Sequence, residues 1–370
     1  METTILKKLQ NNKKTPCVSV IVPTHKKSSE RTVDKLEVTK AINKAKELVF
    51  SKYGKKGTGE NIINELNTLT SNIDYVHNNQ GIGFFASEDV SCVVEFPFEV
   101  KEKITVGNTF EIRDVLYLEE TMINYYVLLI NEKKVKLFLG NGENLKEVKD
   151  KNFPSNFYEE YEYERPSRGN SSGNSLKSTE KDKSIVKEMR LMANLKKTDG
   201  KLSPYTANNT PFVLCGNPKD LGYFLKVYKN HMNIAGKVSG NYVHENTTVL
   251  GKMTFKKLKS YLAKVQNELL EKLDEAIGKK LAVTGIRDVW KAAKAGKGLT
   301  LLVEKDYIRP GFVKKNSPEL FMRPPVEEHE ILTDAVDDVM EEVLAKNGKV
   351  VIFENDNLEK FEHVALILRY

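Results

Sequence analysis

Basic and small polar side chains alternate in the middle of the sequence, between residues 165 and 190. The segment RPSRGNSSGNSLKS (165–178) holds two glycines, several serines and asparagines, and Leu176 as its one large apolar residue. The cations of this segment and of the stretch after it are Arg165, Arg168, Lys177, Lys181, Lys183, Lys187 and Arg190. Cations neutralise phosphates, while hydroxyl and amide groups bond phosphate and ribose oxygens. The pattern favours an RNA-binding loop over residues 165–181; the alternative is a plain surface loop or a disordered spacer.

A second group of candidate RNA contacts follows the first predicted strand, CVSVIVPTH (17–25). His25, Lys26 and Lys27 stand at its end. Strand ends are where α/β sheets expose functional loops, and an imidazole can stack on a base. Equally, His25 could only cap the strand, and both interpretations stay open.

Other kinds of site find little support in the sequence. The three cysteines lie in separate apolar runs without a CxxC or Cys/His spacing, so they are interpreted as small core residues, and no zinc site or other cofactor is expected. The segment GIGFFA (81–86) fits the dinucleotide fingerprint G-x-G-x-x-A, but a predicted strand follows it where the fingerprint requires a helix. A nucleotide site is therefore excluded.

One acidic run near the basic loop keeps an enzyme among the alternatives. Its carboxylates are Glu159, Glu160, Glu162 and Glu164. A metal-dependent nuclease needs carboxylates that converge on one site. The near-alternate spacing is more typical of the exposed side of an extended segment.

Hydrophobic periodicity predicts an α/β chain that positions these residues. The predicted helices cover 33–51, 61–72, 182–197, 218–229, 254–277, 287–295 and 330–345. The predicted strands cover 17–25, 81–86, 91–98, a run near 104–118, a hairpin at 124–140, 211–216, 298–304, 349–354 and 364–370. The third helix should bury the face formed by Ile185, Met189 and Met192 and expose the cations opposite. The last helix should bury Ile331, Ala335, Val339 and Val343 and present an acidic outer face: Asp334, Asp337, Asp338, Glu341 and Glu342.

Composition and charge narrow the class of protein. A hydrophobic content of 40% and a charged content of 29% are those of a protein that folds in water, and apolar runs such as YYVLLI (125–130) are far below the roughly 18 residues that span a bilayer. With no recognisable leader pattern either, a cytoplasmic protein without membrane contact is expected. Residues 125–283 carry 28 Lys and Arg against 18 Asp and Glu, whereas residues 1–124 are balanced at 17 each and 284–370 carry 13 against 16. Concentration of the positive charge in the middle favours an anionic partner such as nucleic acid.

Four segments, in order, carry a resemblance to a known family. They are CVSVIVPTHKK (17–27), PFVLCGNPKDLGYFL (211–225), GIRDVWKAAKAGKGLTLLVE (285–304) and ALILRY (365–370). Together with their spacing, they resemble the archaeo-eukaryotic peptide-chain release factors and Pelota, and most of all the bacterial branch, which includes a ribosome hibernation factor. Each motif is short, so the ordered set carries the specificity.

The resemblance implies a mixed α/β (α+β) chain of three small domains arranged as in release factors and Pelota. An N-terminal domain, 1–123, would reach the decoding region of the ribosome. A basic central domain, 124–283, would enter the A site and the peptidyl-transferase centre among ribosomal RNA. A C-terminal α/β sandwich, 284–370, would dock a protein partner, with elongation factor Tu or another translational GTPase as the candidate.

The resemblance also bears on catalysis. Release factors carry Gly-Gly-Gln in the central loop, whereas the corresponding segment here, 165–178, has no glycine pair and no glutamine. We therefore expect no peptidyl-tRNA hydrolysis. The expected function is a non-catalytic ribosome-binding factor in hibernation or in rescue of stalled ribosomes; the alternative is an enzyme of the same superfamily, a peptidyl-tRNA hydrolase or an RNA nuclease.

Overall fold

A computed structural model describes residues 5–25, 31–75, 79–157, 176–206, 209–228, 234–242, 246–314, 317, 319–354 and 356–370. The chain forms two compact units. Unit 1 comprises Met1–Thr121 and Leu270–Tyr370, and unit 2 comprises Met122–Leu269. Helices and strands are mixed in both, which confirms the predicted fold class. Each of the three predicted domains contains a sheet of its own, while the boundaries proposed between them stay a prediction.

The N-terminal part of unit 1 is an antiparallel sheet covered by helices. Its elements are α1 (Ile5–Gln10), β1 (Cys17–Pro23), α2 (Arg31–Tyr53), α3 (Thr58–Ser71), β2 (Gly81–Ala86), β3 (Ser91–Phe96), β4 (Lys103–Gly107) and α4 (Arg113–Thr121). The strand order is β3-β2-β1-β4, and α2 and α3 cover one face around Val20, Val38 and Ile62.

The predicted strand near 104–118 is wrong in its second half. That half forms α4, in which Val115 and Leu116 are buried. Ile112, the residue just before the helix, is buried with them. Their spacing of three and four residues is helical, and a short apolar run does not by itself separate helix from strand.

Unit 2 is built on one mixed sheet. Its elements are β5 (Asn124–Ile130), β6 (Lys134–Asn141), β7 (Asn144–Glu147), β8 (Ser155–Asn156), α5 (Leu176–Thr206), β9 (Phe212–Gly216), α6 (Pro218–Val227), β10 (Ile234–Ser239) and α7 (Thr247–Gly278), the last of which contains the boundary with unit 1. The order is β10-β9-β5-β6-β7, with β10, β9 and β5 parallel. The strands β5 and β6 pair antiparallel, which confirms the predicted hairpin.

Helices cover both faces of this sheet. One face buries Leu128, Leu137 and Leu214 against α5 and α6, and the other buries Val127, Val213 and Cys215 against α7. Successive residues of a strand point to opposite faces, which explains why these runs are apolar throughout.

The buried face of α5 differs from the predicted one. Ile185 and Met189 are 55% and 65% exposed, whereas Leu195 and Leu202 are buried. Met192, the third residue of the predicted face, packs against the core together with Leu191, so the prediction holds for Met192 and is wrong for Ile185 and Met189. Among the described side chains, those of α5 that contact the core begin at Leu191, and Ile185 and Met189 precede them.

The C-terminal part of unit 1 contains two further sheets. Its elements are β11 (Ala282–Thr284), α8 (Ile286–Lys294), β12 (Gly298–Glu304), β13 (Gly311–Lys314), β14 (Leu320–Phe321), β15 (His329–Leu332), α9 (Ala335–Ala345), β16 (Lys349–Phe353), a 3-10 helix (Glu359–Phe361) and β17 (Val364–Leu368). The orders are β11-β17-β12-β16 and β14-β13-β15. Because β15 occupies 329–332, Ile331 lies on a strand and is 67% exposed, and its predicted place in the helix core is wrong.

The two ends of unit 1 share one hydrophobic core. Phe110, Leu116 and Phe96 of the N-terminal part belong to the same buried cluster as Trp290 and Val339 of the C-terminal part. The predicted acidic outer face of α9 is consequently wrong in part, because Asp334 and Asp337 are only 8% and 6% exposed and point into this shared region. No helix in the described part of the chain is long and apolar enough to cross a membrane.

Candidate nucleic-acid interface

The structure describes only part of the predicted RNA-binding set. Arg165, Arg168, Lys26 and Lys27 lie outside the described residues, as do the four glutamates of the nuclease alternative. Lys177, Lys181, Lys183 and Lys187 belong to α5 by their backbone. Arg190 lies on the same helix with an exposed side chain.

Most of the described cations of α5 are exposed, while Lys201 donates a hydrogen bond to Ser155 Oγ of β8 at 2.9 Å. Arg190, Lys196 and Lys197 are exposed, and within the described part of the chain none of them pairs with a carboxylate. The neighbouring helix α6 begins at Asn217, whose side chain accepts a hydrogen bond from the backbone N–H of Lys219, followed by Pro218 at the first helical position. This arrangement fixes the start of α6 beside α5.

Tyr223 of α6 lies between two lysines. Lys219 and Lys226 place their ammonium groups 5.6 Å and 5.5 Å from its ring centroid. Burial raises the pKa of Tyr223, and a hydrogen bond to Glu188 of α5 raises it further. The face formed by α5 and α6 thus combines exposed cations with a phenol that stays protonated at neutral pH.

The helix α7, on the other face of the sheet, carries exposed cations that were not among the predicted RNA contacts. Residues 247–267 of α7 contain five lysines and no carboxylate: Lys252, Lys256, Lys257, Lys259 and Lys264. All five are exposed. Asn246 caps the helix by accepting the N–H of Thr248 at 2.9 Å, so α7 begins seven residues before the predicted start and its lysines lie beyond the first turn. Cations at the start of a helix oppose its dipole, but this effect fades within one turn, so these lysines cost the helix little stability.

His25 is held in place by a buried carboxylate. Its backbone N–H donates to Asp34 Oδ2 at 3.0 Å, and its Nδ1 lies 2.7 Å from Asp34 Oδ1. Asp34 belongs to the first turn of α2 and its side chain is 1% exposed, while that of His25 is 53% exposed. The contact ties the end of β1 to α2, which agrees with the strand-capping interpretation; the RNA contact stays a prediction.

Carboxylates and cations of unit 1 pair inside the protein. Arg113 of α4 is fully buried and donates to Asp334 and to the carbonyl of Tyr307. Lys103 lies 2.8 Å from Asp114 and 3.4 Å from Glu111. These contacts join β4 and α4 to the start of α9, so they serve the fold rather than a surface.

Several carboxyls at this junction hold protons more tightly than usual. Burial raises the pKa of Glu341 to about 8 and that of Asp338 to about 6. Glu120 accepts the N–H of Ile352 at 2.8 Å, and burial raises its pKa to about 7. Asp337 accepts the N–H of Ile112 at 3.4 Å, and burial raises its pKa well above the ordinary value.

The two buried cysteines, Cys17 and Cys215, are not activated as nucleophiles. Burial raises the pKa of Cys17 to about 11 and that of Cys215 to about 12, so both are neutral thiols and poor nucleophiles. Within that part of the chain, no cluster of three or more His, Cys, Asp or Glu residues could hold a metal ion.

The glycines of GIGFFA serve packing. β2 is followed by β3 and no helix starts there, as predicted. A Cβ at Gly81 would lie 2.4 Å from Val100 Cγ2, and one at Gly83 would lie 2.9 Å from the ring of Phe85. Glycine is therefore required by close neighbours within unit 1.

Part of the chain matches the model of a known protein family. Residues 124–297 match the model of bacterial archaeo-eukaryotic release factor family 3. No curated protein matches the chain. The matched segment contains the sheet of unit 2 and all five lysines of α7.

Solved structures of low similarity include three translation factors. The archaeal translation termination factor aRF1 shares 13% identity at a TM-score of 0.25, over 99% of this chain and 96% of that one. Dom34 of S. cerevisiae, a translation termination-like factor involved in RNA quality control pathways and interacting with Hbs1, shares 13% identity at a TM-score of 0.42, over 76% and 73%. Pelota of Archaeoglobus fulgidus shares 14% identity at a TM-score of 0.36, over 78% of each chain. The match to the family model confirms the predicted resemblance to the bacterial archaeo-eukaryotic release factors over residues 124–297.

Proposed function

We propose that this protein is a cytoplasmic translation factor that binds the ribosome through its basic central unit and does not hydrolyse peptidyl-tRNA. The observation that carries the proposal is the exposed, largely unpaired positive charge of unit 2, within the segment that matches a release-factor family. Exposed cations without carboxylate partners suit the phosphates of ribosomal RNA. The proposed position is the A site, with residues 165–175 and the start of α5 towards the peptidyl-transferase centre.

The absence of Gly-Gly-Gln supports the non-catalytic part of the proposal. In the segment 165–178 both glycines are followed by asparagine, and no glutamine is present. The neutral thiols of Cys17 and Cys215 offer no alternative nucleophile. A factor of this kind would occupy the ribosome rather than release its peptide.

Hibernation is the finer role that we propose, with rescue of stalled ribosomes as its alternative. The support is the resemblance of the four sequence motifs to the bacterial branch that includes the hibernation factor Balon. The proposed partner is elongation factor Tu or another translational GTPase, docked on the C-terminal part. The docking surface would not include Asp334 and Asp337 of the predicted acidic face, because both are buried against the N-terminal part of unit 1.

Sedimentation of cell extracts through sucrose gradients tests the binding. Extracts of growing and starved cells are probed for the protein across the gradient. Co-migration with 70S particles in starvation supports hibernation, whereas co-migration with translating ribosomes in growth supports rescue. A distribution confined to the top of the gradient under both conditions overturns the ribosomal proposal.

A peptide-release assay tests the catalytic part. Purified protein is added to ribosomes that carry a labelled peptidyl-tRNA, beside a release factor as the positive control. We expect release no faster than with buffer. Release above that background would overturn the non-catalytic assignment and leave ribosome binding untouched.

A further inference from the structure

The two halves of α7 carry opposite charge. From Thr247 to Asn267 the helix has five lysines and no carboxylate, whereas the following residues to Gly278 include Glu268, Glu271, Asp274 and Glu275. A helix that only needs a solvated surface mixes both signs, since pairs of opposite charge four residues apart stabilise it. The segregation therefore calls for a ligand of the basic half.

The lysines of the basic half are available to a ligand. Within the described part of the chain, Lys252, Lys256, Lys257 and Lys259 pair with no carboxylate, and Lys264 lies 3.8 Å from Glu268. Lys252 and Lys256 are four residues apart, so they repel each other on the same face of the helix. Nothing in the helix offsets that repulsion.

The opposite side of α7 is firmly packed. Leu250 and Leu258 are buried on the sheet of unit 2, and the hydroxyl of Thr254 lies 3.1 Å from that of Tyr125. A Cβ at Gly251 would lie 1.9 Å from the carbonyl oxygen of Glu143, so glycine lets the helix approach the turn between β6 and β7 closely. The lysines are thus presented by a rigid element rather than by a loop.

The spacing suits a sugar-phosphate backbone. From Lys252 to Lys264 the helix rises about 18 Å, at about 1.5 Å per residue. One strand of a B-form duplex places a phosphate about every 3.4 Å along the axis, so that length faces about five phosphates. Lysine is depleted in protein interfaces, which makes an acidic protein the weaker candidate for a face of this composition.

We propose that the lysine face of α7, formed by Lys252, Lys256, Lys257, Lys259 and Lys264, is a second RNA-backbone-binding surface, on the other face of the sheet from α5. The contact is to phosphates and is independent of base sequence. The choice of RNA over other polyanions rests on the proposed function. Binding from both faces of the sheet would fix the orientation of unit 2 on RNA, which one surface alone leaves free to pivot.

A pair of double variants of the full chain tests the proposal. Lys252→Gln with Lys256→Gln removes two charges from the basic half. Lys272→Gln with Lys279→Gln removes one charge from the acidic half of the same helix and one from the residue just after its end, and serves as the matched control. Lys257 and Lys259 are left in place, because the stem of Lys257 packs on Gly236 and the ammonium group of Lys259 lies 4.9 Å from the ring centroid of Phe255.

Fluorescence anisotropy with a labelled single-stranded RNA of about 20 nucleotides is measured between about 50 and 200 mM salt. We expect the first variant to lower the affinity about tenfold near 150 mM salt and to reduce the slope of log affinity against log salt by about 1.4, since each phosphate contact on a single strand adds about 0.7. The control should lose less than about twofold. Equal losses in the two variants would mean that net charge alone matters and would overturn the proposal.

Two further measurements separate the outcomes. The melting temperature of the first variant should be equal to or above that of the wild type, because a repulsive pair has been removed; this excludes unfolding as the cause of lost binding. Poly-glutamate of equal charge is titrated in place of RNA, and equally tight binding that is lost in the first variant would assign the face to an acidic protein instead. If the first variant still co-sediments with ribosomes and binds RNA as tightly as the wild type, this inference alone is overturned. If the wild type binds RNA but does not co-sediment with ribosomes, the proposed function alone is overturned.

Discussion

Charged side chains are paired inside unit 1, but most of those on the basic half of α7 are exposed and pair with no described carboxylate. In unit 1, Arg113 is buried and pairs with Asp334, far away in the sequence, and the largely buried Lys103 pairs with Asp114. In unit 2, Lys252 and Lys256 are exposed beside each other and pair with no carboxylate of the described residues. The first arrangement stabilises the protein only while both partners are present, and the second gives up some stability. This difference separates charges that hold the fold from charges kept for a ligand.

The largest effect is expected for Arg113→Met in unit 1. The substitution leaves Asp334 buried without its guanidinium partner, and removing one member of a buried pair typically costs about 3–5 kcal/mol. Urea unfolding followed by the fluorescence of Trp290, the single tryptophan, reports on the core that contains it. Arg190→Met is the control on the surface of unit 2. A loss below about 1 kcal/mol in the first variant would show that the pair does not hold unit 1 together.

A smaller effect is expected from the protonation of Glu341. Its pKa in the folded protein, about 8, lies above the ordinary 4.5, so the folded state binds the proton more tightly than the unfolded state. The stability that this carboxyl contributes is therefore full below about pH 4.5 and is lost as the pH rises through 8. We expect the free energy of unfolding to fall by about 3 kcal/mol from pH 5 to pH 7.5, since each pH unit below the folded-state pKa contributes about 1.4 kcal/mol.

The variant Glu341→Gln removes that titration. Its unfolding curves, measured by urea at each pH, should show a flatter dependence than those of the wild type. An unchanged slope would assign the dependence to Asp338, Glu111 and Asp337, the other carboxyls at this junction with raised pKa values.

The variant Glu120→Gln tests how much the charge of one buried carboxylate in unit 1 changes stability. The amide oxygen of glutamine can still accept the N–H of Ile352, but it carries no charge. Since the pKa of Glu120 is about 7, the variant should be equal in stability to the wild type at pH 5 and more stable at pH 8.5 by about 2.5 kcal/mol. Glu119→Gln removes the same charge next door as the control, and an identical gain in both variants would contradict the assignment.

The smallest effect on stability is expected in unit 2. Arg190→Gln with Lys197→Gln should change the free energy of unfolding by less than about 0.5 kcal/mol, since both side chains are exposed and unpaired. The same variant should weaken RNA binding about tenfold, in proportion to two lost phosphate contacts. Unchanged anisotropy would remove α5 from the proposed interface.

The sequence predicts most elements because their periodicity is local. β12 begins and ends as predicted, and α2, α3, α6 and α8 lie within a few residues of their predicted bounds. The strands β13 and β14 fall between the predicted strand at 298–304 and the predicted helix at 330–345, and β15 overlaps the start of that predicted helix. Their pairing joins short runs that carry little pattern individually.

Contacts between segments that are distant in the sequence could not be predicted from it. The acids of α9 have the pattern of a solvated face, and only the position of Arg113, more than two hundred residues away, makes Asp334 an internal residue. Likewise, amphipathic spacing finds a face of α5 but not how much of the helix reaches the sheet, which is why Ile185 and Met189 are exposed. Of the candidate interface, the concentration of lysines was visible in the sequence, whereas their placement on both faces of one sheet required the structure.

The core shared by the two ends of unit 1 sets an order for folding during synthesis. Phe110 and Leu116 emerge early, but Trp290 and Val339, which share their cluster, are made only after the whole of unit 2. Unit 2 is continuous in the chain and can fold while synthesis proceeds, whereas the N-terminal sheet must wait with an apolar face uncovered. Holdase chaperones are therefore expected to engage the nascent chain on that face until the last strands are released.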